Sequence, residues 1–490
     1  MIDTQAIRNK ILDLAMRGQL TEQLPEDGTA EELYRQILEE KQKLIKEGKI
    51  KKQKPLPEIN DEEIPFEIPK NWKWVYLGEL FEHNTGKALK TSDQNGQLLE
   101  YITTSNLYWD HFELKNLKSM YFKENEIDKC TVKKGDLLVC EGGDIGRSAI
   151  WTFDYEIRIQ NHIHKLRKYS DLIYTDFYYY LLWLYKQTDR ISGIGIGLQG
   201  FSSKRVHSLI VPFVPYYEAV RVVLKVKKAF SVLDTIDKLQ AQYADNLTAL
   251  KSKLIDAAIQ GKLTEHLPED GTAEELYQQI QEEKQKLIKE GKIKKQKPLP
   301  EITDEEIPFD IPANWKWVRF GAISNIIGTG LIRSGKEQFK KAEYFYLKMN
   351  NIGNFDGYCH YDNMVMINAT EEEYEKYKLE KGDFLFNTRN SKELVGKVAT
   401  VSNVPDKIII NNNILKIQFL GNLVSEYNVY FFISSKGRKL LSSFITSTTN
   451  VAAIYQKQLI TLYVPLPPIA EQKRIVQKLK EILPLCEMQK

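Results

Sequence analysis

The chain has 490 residues and a nearly balanced charge, with 69 lysines and arginines against 66 acidic residues and a net charge of +3. This balance excludes a protein that coats nucleic acid by bulk electrostatics, so any basic footprint must be local. The four cysteines form no CxxC pair, which predicts a reduced, cytoplasmic protein without structural zinc. The longest apolar run, residues 177–185, is about half the length that a bilayer requires, so no membrane insertion is predicted.

A long internal repeat dominates the sequence. Residues 18–75 recur at 261–318 with only seven differences in 58 positions. The length alone predicts about three domains, and the repeat reduces this to two modules joined by helices. A chain built from two copies of one unit tends to place them about an approximate two-fold axis, as a homodimer does. Such a chain suits a target that is itself two-fold, and duplex DNA is the obvious candidate.

Each copy of the repeat opens with a predicted amphipathic helix. Thr29 and Thr272, each followed three residues later by glutamate, form capping boxes, and the apolar spacing of the first copy continues to a stop at Gly48. The lysine-rich tract at 49–54 has the composition of a DNA clamp. Four acidic residues between positions 58 and 63 nearly neutralise it, which favours a solvated helix end and linker.

Proline-studded linkers lead into the sequence NWKWV in both copies, where β-branched and aromatic residues become frequent. This change predicts two globular mixed α/β modules over residues 71–215 and 314–468. Short strands are predicted at 136–139, 157–166, 383–386 and 408–419.

Residues 216–259 contain no glycine or proline and keep an apolar stripe throughout, which predicts one long coiled-coil-like helix. Its second half matches the amino terminus of the chain and its first half matches the carboxy terminus, so the repeat is cyclic. Residues 469–490 and 1–17 are therefore predicted to meet, to rebuild this helix in two pieces and to pack antiparallel against it.

The predicted fold class is α+β, with two globular mixed α/β modules separated by long antiparallel coiled-coil-like helices in a pseudo-two-fold cyclic repeat. The predicted order is an N-terminal helical segment and linker (1–70), the first module (71–215), the central long helix with the second repeat helix and linker (216–313), the second module (314–468) and a C-terminal helix (469–490).

The two modules share a framework but differ in their loops. YITTSNL at 101–107 aligns with YLKMNNI at 346–352, and IQNHIHKLR at 159–167 aligns with INNNILKIQ at 410–418. The runs that begin with K-G-D also correspond. Shared glycines and apolar residues with substituted polar loops are expected of two readers of different sequences on one scaffold.

Two motifs suggest cofactor or metal sites. Gly195, Gly197 and Gly200 form a literal G-x-G-x-x-G, but a dinucleotide site needs a strand before it and a helix after it, and prolines follow soon here. His162 and His164 form an H-x-H that would place both rings on one face of a strand. The other module has asparagine and leucine there, so a polar strand edge is favoured over a metal pair.

The sequence also offers little for catalysis. Asp136 and Asp383 of the shared K-G-D each precede an apolar strand, which favours turn formation over a catalytic role. The chain has no N/D-P-P-Y/F tetrapeptide, no Asp…Glu-x-Lys constellation of a nuclease and no G-x-x-x-x-G-K loop. We therefore predict no catalytic residues and no metal site, and expect catalysis to come from another chain.

Amide, hydroxyl and guanidinium side chains in the loops remain, and these groups read base edges: Gln or Asn pairs with adenine, and Arg or Lys with guanine. The DNA-binding candidates of the first module are Thr103, Ser105, Asn106, Arg147, Gln160, Asn161, Gln199, Lys204 and Arg205. Those of the second module are Asn350, Asn351, Arg389, Asn390, Lys392, Asn411, Asn412, Asn413, Gln456 and Lys457. An ordinary surface role is the alternative for each.

Both modules open with I-P-x-N-W-x-W-V and contain the K-G-D run followed by Gly-Arg/Lys-x-Ala, and the second closes with V-P-L-P-P-I-A-E-Q-x-R-I-V ahead of a helix. With the cyclic repeat, these motifs resemble the specificity subunits of type I restriction-modification systems over essentially the whole chain. The first module departs from the closing pattern with VPFVPYYEAVRVV.

The resemblance implies two target recognition domains joined by two antiparallel helices, each domain binding one part of a bipartite, asymmetric site in double-stranded DNA. It also implies two methyltransferase subunits that use S-adenosylmethionine on adenine and, in the full complex, a restriction subunit that uses ATP and magnesium. No cofactor is expected on this chain. Two alternatives stay open: a scaffold whose modules bind protein partners, and an enzyme such as a nuclease whose site lies in the diverged regions.

Overall fold

The computed structural model describes residues 1–89, 94–191, 200–447 and 451–487. The chain divides into two compact units, Met1–Gln240 and Ala241–Lys490. Across the described ranges, no helix is long and apolar enough to cross a membrane.

The first unit contains the first copy of the repeat and the first module. Its helices are α1 (Thr4–Met16), α2 (Ala30–Lys46), α3 (Leu77–Leu80), α4 (Glu124–Cys130), α5 (Thr175–Gln187), α6 (Ser203–His207) and the first part of α7 (Tyr216–Ile259). Its strands are β1 (Lys73–Tyr76), β2 (Phe81–Thr85), β3 (Gln97–Ile102), β4 (Lys118–Phe122), β5 (Thr131–Val132), β6 (Leu137–Cys140), β7 (Ser148–Ile150), β8 (Ile157–Ile159), β9 (Ile163–Lys168) and β10 (Ile210–Phe213).

The second unit contains the rest of α7, the second copy of the repeat and the second module. Its helices are α8 (Ala273–Lys289), α9 (Phe320–Ile323), α10 (Glu371–Tyr377), α11 (Ser425–Ile433), α12 (Ser435–Ser443), α13 (Gln456–Leu459) and α14 (Ile469–Ile482). Its strands are β11 (Lys316–Arg319), β12 (Ser324–Thr329), β13 (Tyr344–Leu347), β14 (Val365–Ile367), β15 (Phe384–Asn387), β16 (Arg389–Asn390), β17 (Val398–Thr400), β18 (Ile408–Ile410), β19 (Ile414–Phe419), β20 (Thr446–Ser447), β21 (Ala452–Ala453) and β22 (Tyr463–Leu466).

The two modules have matching sheets. In the first module one sheet has the order β2-β9-β6-β7 and another β4-β3-β8-β5; in the second module the corresponding orders are β12-β19-β15-β17 and β14-β13-β18. The first and last strands of each module pair antiparallel, β1 with β10 and β11 with β22. The predicted fold class, mixed α/β modules repeated twice with a long helix, is confirmed.

The predicted strands at 157–166 and 408–419 are wrong as single strands, because each is a pair of strands separated by a three-residue turn. β8 pairs with β3, whereas β9 pairs with β2 and β6, so the chain passes from one sheet to the other at 160–162. The second module does the same at 411–413. The apolar, β-branched residues on both sides of each turn hide this crossing in the sequence.

The repeat helices begin and end as predicted. The Thr29 side chain accepts a hydrogen bond from the Glu32 amide, and Thr272 does the same for Glu275. α2 is followed by Gly48, whose φ of +69° is a conformation that glycine adopts without strain. The lysines that follow are exposed, as expected of a solvated tract.

Two buried glutamates tie the repeats to the helices that follow the modules. Glu218 lies in the first turn of α7, is fully buried and accepts a hydrogen bond of 2.9 Å from the side-chain amide of Asn71. Glu471 occupies the corresponding place in α14 and accepts a 2.8 Å hydrogen bond from the Trp315 indole. A buried carboxylate that lost these partners would destabilise the fold, so the contacts fix the repeat segments against the helices.

An ion pair repeats the same arrangement one turn further along. Arg221 of α7 pairs with the buried Asp27, and Arg474 of α14 pairs with the buried Asp270 at 2.5 Å. The hydrogen bond from Arg221 lowers the pKa of Asp27, and that from Arg474 lowers the pKa of Asp270.

The terminal helices pack antiparallel against α7, each within its own unit. In the first unit Arg8 of α1 lies 2.5 Å from Asp234 and 2.9 Å from Asp237. In the second unit Ile475 and Leu479 of α14 pack with Ile255 of α7. The contact between the two chain ends stays a prediction.

The apolar stripe predicted along α7 is buried only in part. Val223 and Val226 are fully buried and Ile255 is 5% exposed, but Leu239 and Tyr243 are 58% and 59% exposed. The stripe therefore includes residues that this fold leaves in solvent.

Gly18 should tolerate substitution less well than Gly48, although both have a φ near +68°. A Cβ at Gly18 would lie 2.3 Å from Cγ of Pro69, whereas a Cβ at Gly48 meets nothing within 4 Å. Gly48→Ala should cost about 1 kcal/mol of backbone strain, and Gly18→Ala about 1–3 kcal/mol more because of the overlap. Urea unfolding of both variants measures this, and equal losses of stability would contradict the packing.

Candidate nucleic-acid interface

In each module, four segments meet at the turn where the chain changes sheets. We call residues 86–88, 141–147, 160–162 and 200–205 the first loop edge, and residues 330–332, 388–392, 411–413 and 453–457 the second loop edge. In the first, the amides of Asn161, Glu141 and Phe201 donate to the carbonyls of Lys87 (3.1 Å), His162 (2.9 Å) and Glu141 (2.7 Å). In the second, the amides of Asn412, Thr388 and Ile454 donate to the carbonyls of Leu331 (3.2 Å), Asn413 (2.9 Å) and Thr388 (3.0 Å). The main-chain bonds are the same, although the side chains differ.

A shared glycine allows this close packing. A Cβ at Gly86 would lie 2.0 Å from the carbonyl oxygen of Ile159, and one at Gly330 would lie 1.9 Å from that of Ile410. Any other residue would push the strand and the following turn apart. The sequence signal for this contact is the dipeptide Thr-Gly, which occurs at 85–86 and again at 329–330.

Three candidates of the first module form one turn. The Asn106 side chain accepts from the Thr103 amide at 2.9 Å and donates to the Glu113 carbonyl at 2.9 Å. The Thr103 and Ser105 hydroxyls lie 2.6 Å apart, and Ser105 is exposed. The Asn106 side-chain amide, whose oxygen and nitrogen base recognition would need, is therefore occupied in shaping the backbone of this turn.

The other candidates of the first module divide between bound and accessible side chains. The Arg147 guanidinium donates to the Thr104 carbonyl at 2.6 Å and stacks on Tyr108. Lys204 is exposed, and Arg205 lies over the Phe201 ring at 5.7 Å. Gln160 and Asn161 are half-buried in the turn between the sheets, and Gln199 lies outside the described residues.

In the second module three asparagines have structural partners. Asn351 is buried, accepts from the Lys348 amide at 3.0 Å and donates to the His360 carbonyl at 3.1 Å, as its counterpart Asn106 does in the first module. Asn411 is buried and donates to the Tyr346 hydroxyl at 2.7 Å. Asn390 donates to the Asn387 side chain at 2.9 Å.

The remaining candidates of the second module face solvent. The exposed ones are Asn350, Arg389, Lys392, Gln456 and Lys457, and Asn412 and Asn413 are half-exposed. Except for Asn350, all of them lie on the second loop edge. Residues 388–392 of the second loop edge carry Arg389 and Lys392 and no acid, whereas residues 141–147 of the first carry Glu141 and Asp144 with Arg147, so these two segments differ in charge.

The polar strand edge predicted for His162 and His164 is wrong for His164. This residue is fully buried in β9, an interior strand, with Nδ1 at 2.9 Å from Nε2 of His83 and Nε2 at 2.5 Å from the Phe201 carbonyl oxygen. Burial lowers the pKa of His83 to about 3 and lowers that of His164. Within the described ranges, no group of three or more His, Cys, Asp or Glu side chains is arranged to hold a metal ion.

The turn-forming role predicted for Asp136 and Asp383 is confirmed. Asp136 accepts from the Lys133 amide at 2.7 Å, and Asp383 accepts from the Glu380 amide at 2.8 Å. Both are buried, and Arg167 also donates to Asp136 at 2.6 Å.

Comparison with known proteins assigns the family. The family described as "Type I restriction modification DNA specificity domain" matches the chain twice, at residues 69–251 and 312–488. The chain belongs to this family. The predicted resemblance is thereby confirmed.

Full-length relatives agree with this assignment. The specificity subunit of the type I restriction enzyme EcoAI from Escherichia coli is 30% identical over 98% of this chain and 89% of its own length. That of EcoEI, also from Escherichia coli, is 26% identical over 99% of this chain and 90% of its own length.

Solved structures show the same fold. A chain from a study of complex assembly and conformational transition in a type I restriction-modification system has a TM-score of 0.59 at 18% identity, covering 86% of this chain and 92% of its own. The HsdS subunit of Thermoanaerobacter tengcongensis has a TM-score of 0.50 at 17% identity, covering 86% and 91%.

Two asparagines of this specificity-domain chain should respond differently to truncation. Asn351→Ala removes both hydrogen bonds of a buried side chain and should lower the free energy of unfolding by about 1–3 kcal/mol. Asn412→Ala, at a half-exposed turn position, should cost less than about 0.5 kcal/mol. Urea titration of both variants provides the comparison, and a larger loss for Asn412→Ala would refute the division into bound and accessible side chains.

Proposed function

We propose that this chain is the non-catalytic specificity subunit of a type I restriction-modification complex, and that each module reads one half of a bipartite, asymmetric DNA site. The carrying observation is the pair of loop edges, which have the same main-chain hydrogen bonds but different side chains. A fixed frame with exchanged amide and guanidinium groups suits base reading, because these groups distinguish base pairs by their donors and acceptors.

We divide the candidate readers by the contacts that each side chain makes within the chain. Four side chains bonded to the main chain or to the buried Tyr346 hydroxyl are proposed to position the loops: Asn106, Arg147, Asn351 and Asn411. The proposed DNA contacts are Ser105, Asn161, Lys204, Arg205, Asn350, Arg389, Lys392, Asn412, Asn413, Gln456 and Lys457. Where a lysine contacts a phosphate, replacing that lysine should weaken binding to all DNA sequences evenly.

The catalytic chemistry is proposed to reside on partner subunits. A methyltransferase subunit would bind S-adenosylmethionine, and a restriction subunit would use ATP and magnesium. On this proposal the chain itself holds no cofactor and works in the cytoplasm.

The near-identity of the two repeats supports two copies of one partner. The outer face of α2 exposes Glu39, Gln42, Lys43 and Lys46, and α8 exposes the same four residue types at Glu282, Gln285, Lys286 and Lys289. Packing does not determine the identity of exposed side chains, and the modules have diverged around them. We infer that each helix docks the same methyltransferase subunit, so that two copies bind per chain.

Methylation mapping tests the reading function. In cells that carry the chain and its methyltransferase partner, the methylated motif should have two unlike halves separated by an unread spacer. Arg389→Ala should relax one half only, since a lost bidentate contact to a base costs about 1–3 kcal/mol of discrimination.

Arg438→Ala is the matched control, because this guanidinium lies 3.8 Å over the Phe355 ring and donates to the Val395 carbonyl. It should lower stability without relaxing either half. Relaxation of both halves by Arg389→Ala would contradict independent reading.

Native mass spectrometry tests the docking surfaces. Lys43→Glu or Lys286→Glu alone should leave one methyltransferase subunit per chain, and the two together should leave none, because each reverses a charge on one copy of the surface. Lys115→Glu, at an exposed position in the first module, is the control. Two bound subunits in the double variant would place docking elsewhere.

The length of α7 is proposed to set the spacer. Deleting four residues, about one turn, between 237 and 246 would shorten the helix by about 6 Å. The unread spacer should then shorten by about two base pairs, at about 3.4 Å each. Methylation at the original spacer length would disprove this role for the helix.

A further inference from the structure

We propose that Ile332 is a specificity-determining residue that contacts the C5 methyl group of a thymine in the half-site read by the second module. This inference rests on the proposed reading function and adds an apolar contact to the polar ones. Ile332 is 71% exposed, the largest fraction for any large apolar residue that the structure describes in the two modules.

Ile332 lies on the second loop edge beside a proposed reader. Its neighbour Leu331 donates from its amide to the Ile410 carbonyl at 2.9 Å and accepts from the Asn412 amide at 3.2 Å. Gly330 permits this approach, because a side chain there would overlap the same Ile410 carbonyl. The exposed isoleucine is therefore fixed one residue away from the main-chain bond to Asn412.

The segment is also held from its other side. The Arg333 guanidinium pairs with Glu373 at 2.7 Å, donates to the Asn368 carbonyl at 3.3 Å and donates to the Ile332 carbonyl at 3.2 Å. Single exposed apolar residues are common on protein surfaces. Here, however, the backbone that carries the apolar side chain is held by bonds on both sides, which is the arrangement expected of a preorganised contact.

The chemistry of DNA identifies the contact. Base edges in the major groove present donors, acceptors and one apolar group, the thymine C5 methyl. For an isoleucine on the same loop edge as the amide and guanidinium readers, the thymine C5 methyl is therefore the apolar group to contact. Lys87 and Leu331 form matching bridges to Gln160 and Asn411, so the position equivalent to Ile332 in the first module is Ala88. Ala88 is also exposed.

Uracil substitution tests this contact. The full chain with its methyltransferase partner is titrated with duplexes of the mapped motif in which each thymine is replaced in turn by uracil, which lacks only the methyl group. One substitution in the half relaxed by Arg389→Ala should weaken binding about four-fold, the value of one buried methyl group. In Ile332→Ala the same substitution should have no effect, and Ile332→Val should keep part of it.

Ile307→Ala, at an exposed isoleucine in the linker before the module, controls for the loss of any surface isoleucine and should leave the uracil response unchanged. Specific binding without a uracil response that depends on Ile332 overturns the proposal and leaves the reading function intact. A half-site that contains only G·C pairs also overturns the proposal and leaves the reading function intact, because it has no thymine. Binding that is indifferent to DNA sequence overturns both.

Discussion

Each loop edge depends on a close approach between a glycine and the carbonyl of the strand that precedes the turn. A Cβ added at Gly86 or Gly330 would lie only about 2 Å from the carbonyl oxygen of Ile159 or Ile410, so the approach is possible only without a side chain. This close approach lets the residue after the glycine, Lys87 or Leu331, accept a hydrogen bond from the turn. At that turn the chain leaves one sheet and enters the other. Because backbone atoms make these bonds, the side chains on the turn are free to differ, and the two modules use that freedom.

A second set of contacts makes the repeats equivalent. Glu218 and Glu471 are buried and hydrogen-bonded at the start of α7 and α14, and Asp27 and Asp270 pair with arginines one turn later. Breaking one of these buried pairs would leave a charge without a partner, which is strongly destabilising. The contacts therefore require the same residues in both copies, whereas the loop edges do not. This requirement applies to the buried residues of the repeat, whereas the identity of its exposed residues is accounted for by the proposed docking of one partner to both copies.

Much of the fold was predictable because its signals are local. The helix from Tyr216 to Ile259 follows from a run without glycine or proline, and the caps at Thr29 and Thr272 follow from their spacing to glutamate. The sheet crossing at 160–162 was not predictable, because apolar β-branched residues lie on both sides of this turn and the pairing partners are set by distant strands. The burial of His164 has the same origin.

The site was predictable in composition but not in detail. Asn350 and Asn351 are adjacent asparagines, yet the first is exposed and the second is buried with two hydrogen bonds. Only the tertiary fold decides which of them faces solvent. A pattern of polar residues does not indicate Ile332 either, because an apolar residue in a sequence is normally assigned to the core.

Duplicating one module tests the central claim, that the frame is shared and each module carries the specificity for one half-site. Residues 80–208 would be replaced by residues 323–461, leaving the repeats, the long helix and the terminal helices unchanged. The methylated motif should become two-fold symmetric, with the second half-site present on both sides of the spacer. A motif that kept the original first half, or a folded chain that lost both halves, would contradict the account.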